Sequence, residues 1–161
     1  MMILSMLIGA IASGSCFEVV DDQDIAQATE VFIGAPVSSE GGQIEVTVLR
    51  PYRMSDPDLG PGDEYRLPGV LRDEIGWREI SATIDHRDPG YLDSDIFYIG
   101  LVFDDFSDGC EVRYNLADGV PYMFILGTQA KLRSVEPISS VTLDPWVQYV
   151  ERSLATRTEP R

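Results

Sequence analysis

The sequence predicts an all-β fold, a barrel or sandwich with short helices only near its two ends. Three observations carry that expectation. Residues 43–53 alternate, with Ile44, Val46 and Val48 on one face and Glu45, Thr47 and Leu49 on the other, the period of a half-buried strand. Apolar runs rich in β-branched and aromatic residues recur at 31–37, 96–103 and 122–126, with turn-forming Gly, Pro, Asp and Ser between them. Helical spacing is confined to about 21–28 and 144–154.

In chain order, Asp21 or Asp22 caps a short helix running to about Ala28, with Ile25 and Ala28 toward the core. Residues 31–37 form a strand, in which Gly34 marks a bulge or close backbone approach and Pro36 marks its end or an edge. A turn at 38–42 joins it to 43–53 as a hairpin. The stretch 55–62, SDPDLGPG, is loop, and 63–70 is a weaker strand interrupted by Pro68. Trp77, Ile80, Ala82 and Ile84 fit a strand; 86–95 is loop, 96–103 a strand, 104–109 a turn. Residues 111–116 and 121–126 flank Ala117-Asp118-Gly119-Val120 as a hairpin, and 131–138 adds a last strand, reaching toward Val141. Asp144 caps a terminal helix with Pro145 at its first position and Trp146 or Val147, Val150 and Leu154 along one face. Residues 156–161 fray.

The 161 residues carry a formal charge of −15 and 44% apolar content, enough for one domain with a real core. That charge repels phosphate backbones and anionic lipid, so nucleic acid is not the expected partner. Residues 1–15, MMILSMLIGAIASGS, are uncharged, with an apolar stretch followed by small residues, the pattern of a secretory signal peptide cleaved before Cys16. The run is too short for a transmembrane span. The expected organisation is therefore a leader at 1–15, a barrel domain at 16–155 and a tail at 156–161, in a protein exported to the periplasm or beyond.

Cys16 and Cys110 are the two cysteines. In an exported chain the default is one disulfide between them, closing a loop of about 94 residues and worth roughly 4–5 kcal/mol in the chain-entropy model. The alternative is acylation of Cys16 as a lipoprotein anchor, although Ser13 stands where a lipobox carries Leu. The two fates exclude each other, because a thioether sulfur cannot pair with Cys110.

The order of features resembles the TIMP-like, or netrin-like (NTR), module in its bacterial exported form. The residues that carry the likeness are Cys16, the run Ala28-Thr29-Glu30-Val31-Phe32-Ile33-Gly34-Ala35-Pro36-Val37, the run Val46-Thr47-Val48-Leu49-Arg50-Pro51-Tyr52, and Cys110 with Gly119-Val120-Pro121-Tyr122-Met123-Phe124-Ile125. The resemblance implies an OB-like five-stranded β-barrel with short N-terminal and C-terminal helices. It also implies an alternative function, metalloprotease inhibition through the free amine of Cys16. Glu18 replaces the second cysteine of the family's Cys-x-Cys start, and the other inhibitor disulfides are absent.

No catalytic residue is assigned. His86, the single histidine, lies in an acidic loop, and no Gly-x-Ser-x-Gly nucleophile motif is present. Asp104, Asp105 and Asp108 form an oxygen-rich turn that is a weak Ca²⁺ candidate without EF-hand spacing. Cys16 and Phe17 at the new N-terminus, with Trp77, Tyr91, Tyr98 and Phe106, are candidate binding residues. The expectation is an exported, non-enzymatic module without cofactor that binds a protein partner. A small envelope hydrolase using surface carboxylates, with or without Ca²⁺, is the alternative.

Overall fold

The computed structural model describes residues 20–72, 103–106, 112–127, 131 and 133–156. They form a mostly β structure, a curled mixed sheet with two short helices. Helix α1 (Asp22–Gln27) is followed by β1 (Glu30–Glu40), β2 (Gln43–Arg53), β3 (Glu64–Arg72), β4 (Phe103–Phe106), β5 (Val112–Ala117), β6 (Tyr122–Leu126), β7 (Val135–Pro137) and helix α2 (Pro145–Ala155). The strand order is β4-β5-β3-β2-β1-β6-β7; β3 and β5 are parallel and every other pair is antiparallel.

The sheet has two apolar faces. Inside the curl, Phe32, Ile44, Val46, Val48, Leu67, Leu116, Tyr122 and Phe124 pack together, with the Phe32 and Phe124 rings stacked at 4.7 Å. Outside, Val31, Ile33, Met123 and Ile125 meet Ile25 of α1 and Trp146, Val147 and Val150 of α2. β1 and β6 are thus buried on both faces, which is why 31–33 and 122–125 read as unbroken apolar runs. β2 buries one face over most of its length, so it alternates.

Both helix starts follow from their caps. The Asp21 carboxylate accepts from the N–H groups of Gln23 (2.8 Å) and Asp24 (2.9 Å), and the Asp24 carboxylate accepts from the Asp21 N–H (3.0 Å), a reciprocal capping box. Lys131 pairs with Asp24 at 3.0 Å. Asp144 accepts from the Trp146 N–H (2.8 Å) and from both the N–H and hydroxyl of Ser139 (2.9 Å each), with Pro145 in the first turn.

Strands β5 and β6 stand where the sequence predicts two strands, but they do not pair as the expected hairpin. β5 lies against β3 and β6 against β1. β4 and β7 occupy the ladder edges such a hairpin would use. In a flat sheet β5 and β6 would be four strand spacings apart, about 19 Å. The link between them is a tight turn, with the Val120 N–H donating to the Ala117 carbonyl, and spans at most about 15 Å from Ala117 to Tyr122. The sheet must curl to let the chain cross. The Gly119 N–H donates to the Pro36 carbonyl (2.9 Å) on the way.

Three further expectations are corrected. Residues 104–106 are not in a turn: Asp104, Asp105 and Phe106 belong to β4, and Asp104 is the extra residue between the pairs Phe103–Tyr114 and Asp105–Arg113. The last strand is only Val135–Pro137, because Arg133 adopts φ 67° just before it. β1 does not stop at Val37 but runs on to Glu40, and Pro36 marks an edge and not an end, since pairing with β6 stops at Gly34. The Pro36 carbonyl points away from β2, toward Gly119, so its missing N–H falls on that side and the β2 ladder loses nothing.

β3 changes partner at its Pro-Gly step. Residues up to Pro68 pair with β2, and Gly69 onward pairs with β5. A Cβ at Gly69 would collide with the Tyr114 carbonyl oxygen, so glycine permits the close crossing. The expected strand through Trp77 and the strand at 96–102 lie outside the described residues.

Candidate functional site

The β1–β2 ladder carries three bulges, and all three act on the outer face. Register shifts leave Leu49 and Tyr52 as extra residues on β2 and Val37 as an extra residue on β1. Val48 faces the inner core. Leu49 then points outward, and so does Arg50, whose guanidinium reaches Glu151 of α2 at 3.1 Å. Tyr52 and Arg53 repeat the pattern: the Tyr52 phenol donates to the same Glu151 carboxylate (2.7 Å), and Arg53 turns to α1. Arg50, Tyr52 and Arg53 on this half of β2 therefore all meet the helical layer. Bulges also bend and twist the strands that carry them, which supplies the curl.

Arg53 closes the C-terminus of α1. Its Nη1 donates to the carbonyl oxygens of Ile25 (3.0 Å), Ala26 (3.0 Å) and Ala28 (2.9 Å), groups that a helix end otherwise leaves unpaired. Burial, with Glu151 beside it, pushes the Tyr52 phenol well above its ordinary value. Next to these contacts, Glu30 is buried and accepts from both the N–H and the hydroxyl of Ser55.

The helices cover this face only as far as Ile33 on β1 and its register partner Arg50 on β2. Beyond them, among the described residues, no element packs over the outer face. Ala35 and Thr47 sit opposite each other across the ladder, flanked by the bulge residues Val37, 47% exposed, and Leu49, 41% exposed. Polar contacts border this strip at both ends. Toward the turn, Ser38 donates to Glu45 (2.6 Å) and Glu45 pairs with Arg66 (2.8 Å). Toward the helices lies the Arg50–Glu151 pair, and Arg50 also reaches the Val141 carbonyl at 3.5 Å. That carbonyl belongs to the loop before α2, where Ser140 Oγ accepts from the N–H groups of Thr142 and Leu143 and holds Leu143 outward, 75% exposed. An apolar strip with a polar border is the anatomy of a contact surface.

The residues singled out from sequence fall elsewhere. Cys16, Phe17, Trp77, Tyr91, Tyr98, Asp108, Cys110 and His86 lie outside the described residues. Phe106 is in β4 opposite Val112, and Asp104 and Asp105 are in the same strand. Among the described residues, no group of three His, Cys, Asp or Glu side chains is placed to hold a metal ion, and no helix is long and apolar enough to cross a membrane. Sequence reasoning missed Val37, Leu49 and Leu143 as surface residues. One signal existed: Leu49 is the apolar residue on the otherwise polar face of 43–53. No family model matches the chain, and neither a curated protein nor a solved structure matches it.

Proposed function

We propose that the chain is an exported, non-enzymatic β-barrel module that binds a protein partner through the outer face of β1 and β2. The observation that carries this reading is the pair of bulges that push Val37 and Leu49 into solvent on a face the helices leave open. A strand that merely needed to pair would keep the regular register and turn polar residues outward. The apolar leader and the two cysteines of the sequence support export. The meander β1-β2-β3, the parallel β3–β5 pair and the curl support the finer OB-like reading, with β1, β2, β3, β5 and β6 as its five strands. The likeness to the netrin-like module belongs to the same proposal.

A retention experiment tests it. Residues 16–161 and the double variant Val37→Asp/Leu49→Asp are immobilised and exposed to envelope extract of the producing cells. The native protein retains a partner in stoichiometric amount and the variant does not. Equal retention by both would refute binding through this face.

A further inference from the structure

The outer face has a sign. Glu64 lies opposite Thr47, on the same side as Arg66 and Glu45, and is exposed. Asp63 sits beside Val48 at the Leu49 end of the strip, its backbone carbonyl accepting from the Val48 N–H (2.8 Å). Glu45 and Glu151 complete the border. Against these four carboxylates stand Arg50 and Arg66, each already paired with one of them. Asp56 and Asp58, in the loop that leads to Asp63, add to the same end and are exposed. The border is therefore negative and the centre apolar.

A second copy of the chain is a poor occupant of such a face. Each copy carries −15, and apposing two like borders sets carboxylate against carboxylate. A cationic surface gains on both counts: the field of the whole molecule draws it in, and Glu64 offers a carboxylate not committed to Arg50 or Arg66, while the Asp63 carboxylate, which accepts from the Gly60 N–H (2.7 Å), adds its charge.

We propose that the occupant is a cationic protein segment with a large apolar side chain at its centre, which packs against Val37 and Leu49 while its Lys or Arg residues meet Glu64, Asp63 and Glu45. This rests on the reading of the face as a protein-binding surface and adds the chemistry of the partner. Among the described residues, the free strand edges of β1 and β7 do not favour simple strand addition. β1 beyond Gly34 carries Pro36 and the Val37 bulge, and β7 is three residues long and ends in Pro137. Recognition by side chains across the face is the mode left to them.

Selection from a displayed library of random twelve-residue peptides tests the proposal, with residues 16–161 as bait and Leu49→Asp as counter-bait. The counter-bait keeps the fold and adds negative charge, so it removes peptides held by bulk charge alone. The expected pool carries net positive charge around a Leu, Phe, Trp or Met, and its members bind Leu49→Asp at least ~10-fold more weakly, the loss that follows from exposing a large apolar side chain. They also bind Glu64→Gln more weakly and lose affinity as salt rises. Enriched peptides that depend on Leu49 but are neutral or acidic would overturn the cationic partner and leave the binding face intact. A pool indifferent to Leu49→Asp would overturn the face itself. Sedimentation that shows a dimer abolished by Leu49→Asp would replace the cationic partner with a second copy.

Discussion

The Ala117 N–H donates to the phenol oxygen of Tyr122 at 2.9 Å, across the link that carries the chain from β5 to β6. The bond joins two strands that do not pair with each other, at the place where the sheet must curl. It gives a buried donor a partner, and it fixes the Tyr122 ring between the inner core and the turn.

Tyr122→Phe keeps the ring and removes the acceptor. The Ala117 N–H is then buried without that partner, at an expected loss of about 1–3 kcal/mol. Urea unfolding should show a lower midpoint with an unchanged slope, because the surface exposed on unfolding is the same.

Arg53→Met keeps the length of the side chain and removes three hydrogen bonds from the end of α1. Amide exchange should accelerate in residues 22–28 more than in β6, and global stability should fall by about 1–3 kcal/mol.

Tyr52, Tyr114 and Tyr122 have phenols raised above the ordinary 10.0, in each case chiefly through burial. The folded state therefore holds their protons more tightly than the unfolded chain does. Their contribution is fully present below pH 10 and falls away as pH rises above it, when unfolding releases protons. Denaturation midpoints measured from pH 8 to 12 should stay level on this account until about pH 10 and then drop. Phenolate absorption from these three should rise with the unfolding transition and not ahead of it.

The proposed disulfide and the proposed cleavage of the leader share one assay. Intact mass of the exported protein should begin at Cys16 and show two thiols that resist alkylation until reduced. Free thiols before reduction, or a diacylglycerol mass on Cys16, would contradict the pairing.

How much of this was readable beforehand depends on how local each feature is. The start of β2 follows from alternation over 44–49, and the start of α2 from Asp144-Pro145, because both are set within a few residues. The apolar runs at 31–33 and 122–125 marked strands, and the structure adds that both of their faces are buried. The failed hairpin at 111–126 has another cause. Asp118-Gly119 does form a turn, but the edges of β5 and β6 are taken by β4 and β7, which no local pattern reveals. Bulges are equally hidden, since register belongs to two strands at once; Val37, Leu49 and Tyr52 become extra residues only against a partner. Asp104 and Asp105 looked like a turn because their composition is polar, yet an edge strand accepts such residues and a bulge absorbs one of them.

Leu49→Asp separates binding from folding. The side chain is partly exposed and outside both cores, so stability should change by less than about 0.5 kcal/mol. Photo-crosslinking at the same position tests the central claim most directly. With a benzophenone side chain at position 49, irradiation in envelope extract should give an adduct with a different protein, and the same group at Ser153 on α2 should not. Absence of an adduct at 49, or equal adducts at both positions, would contradict a binding face on β1 and β2.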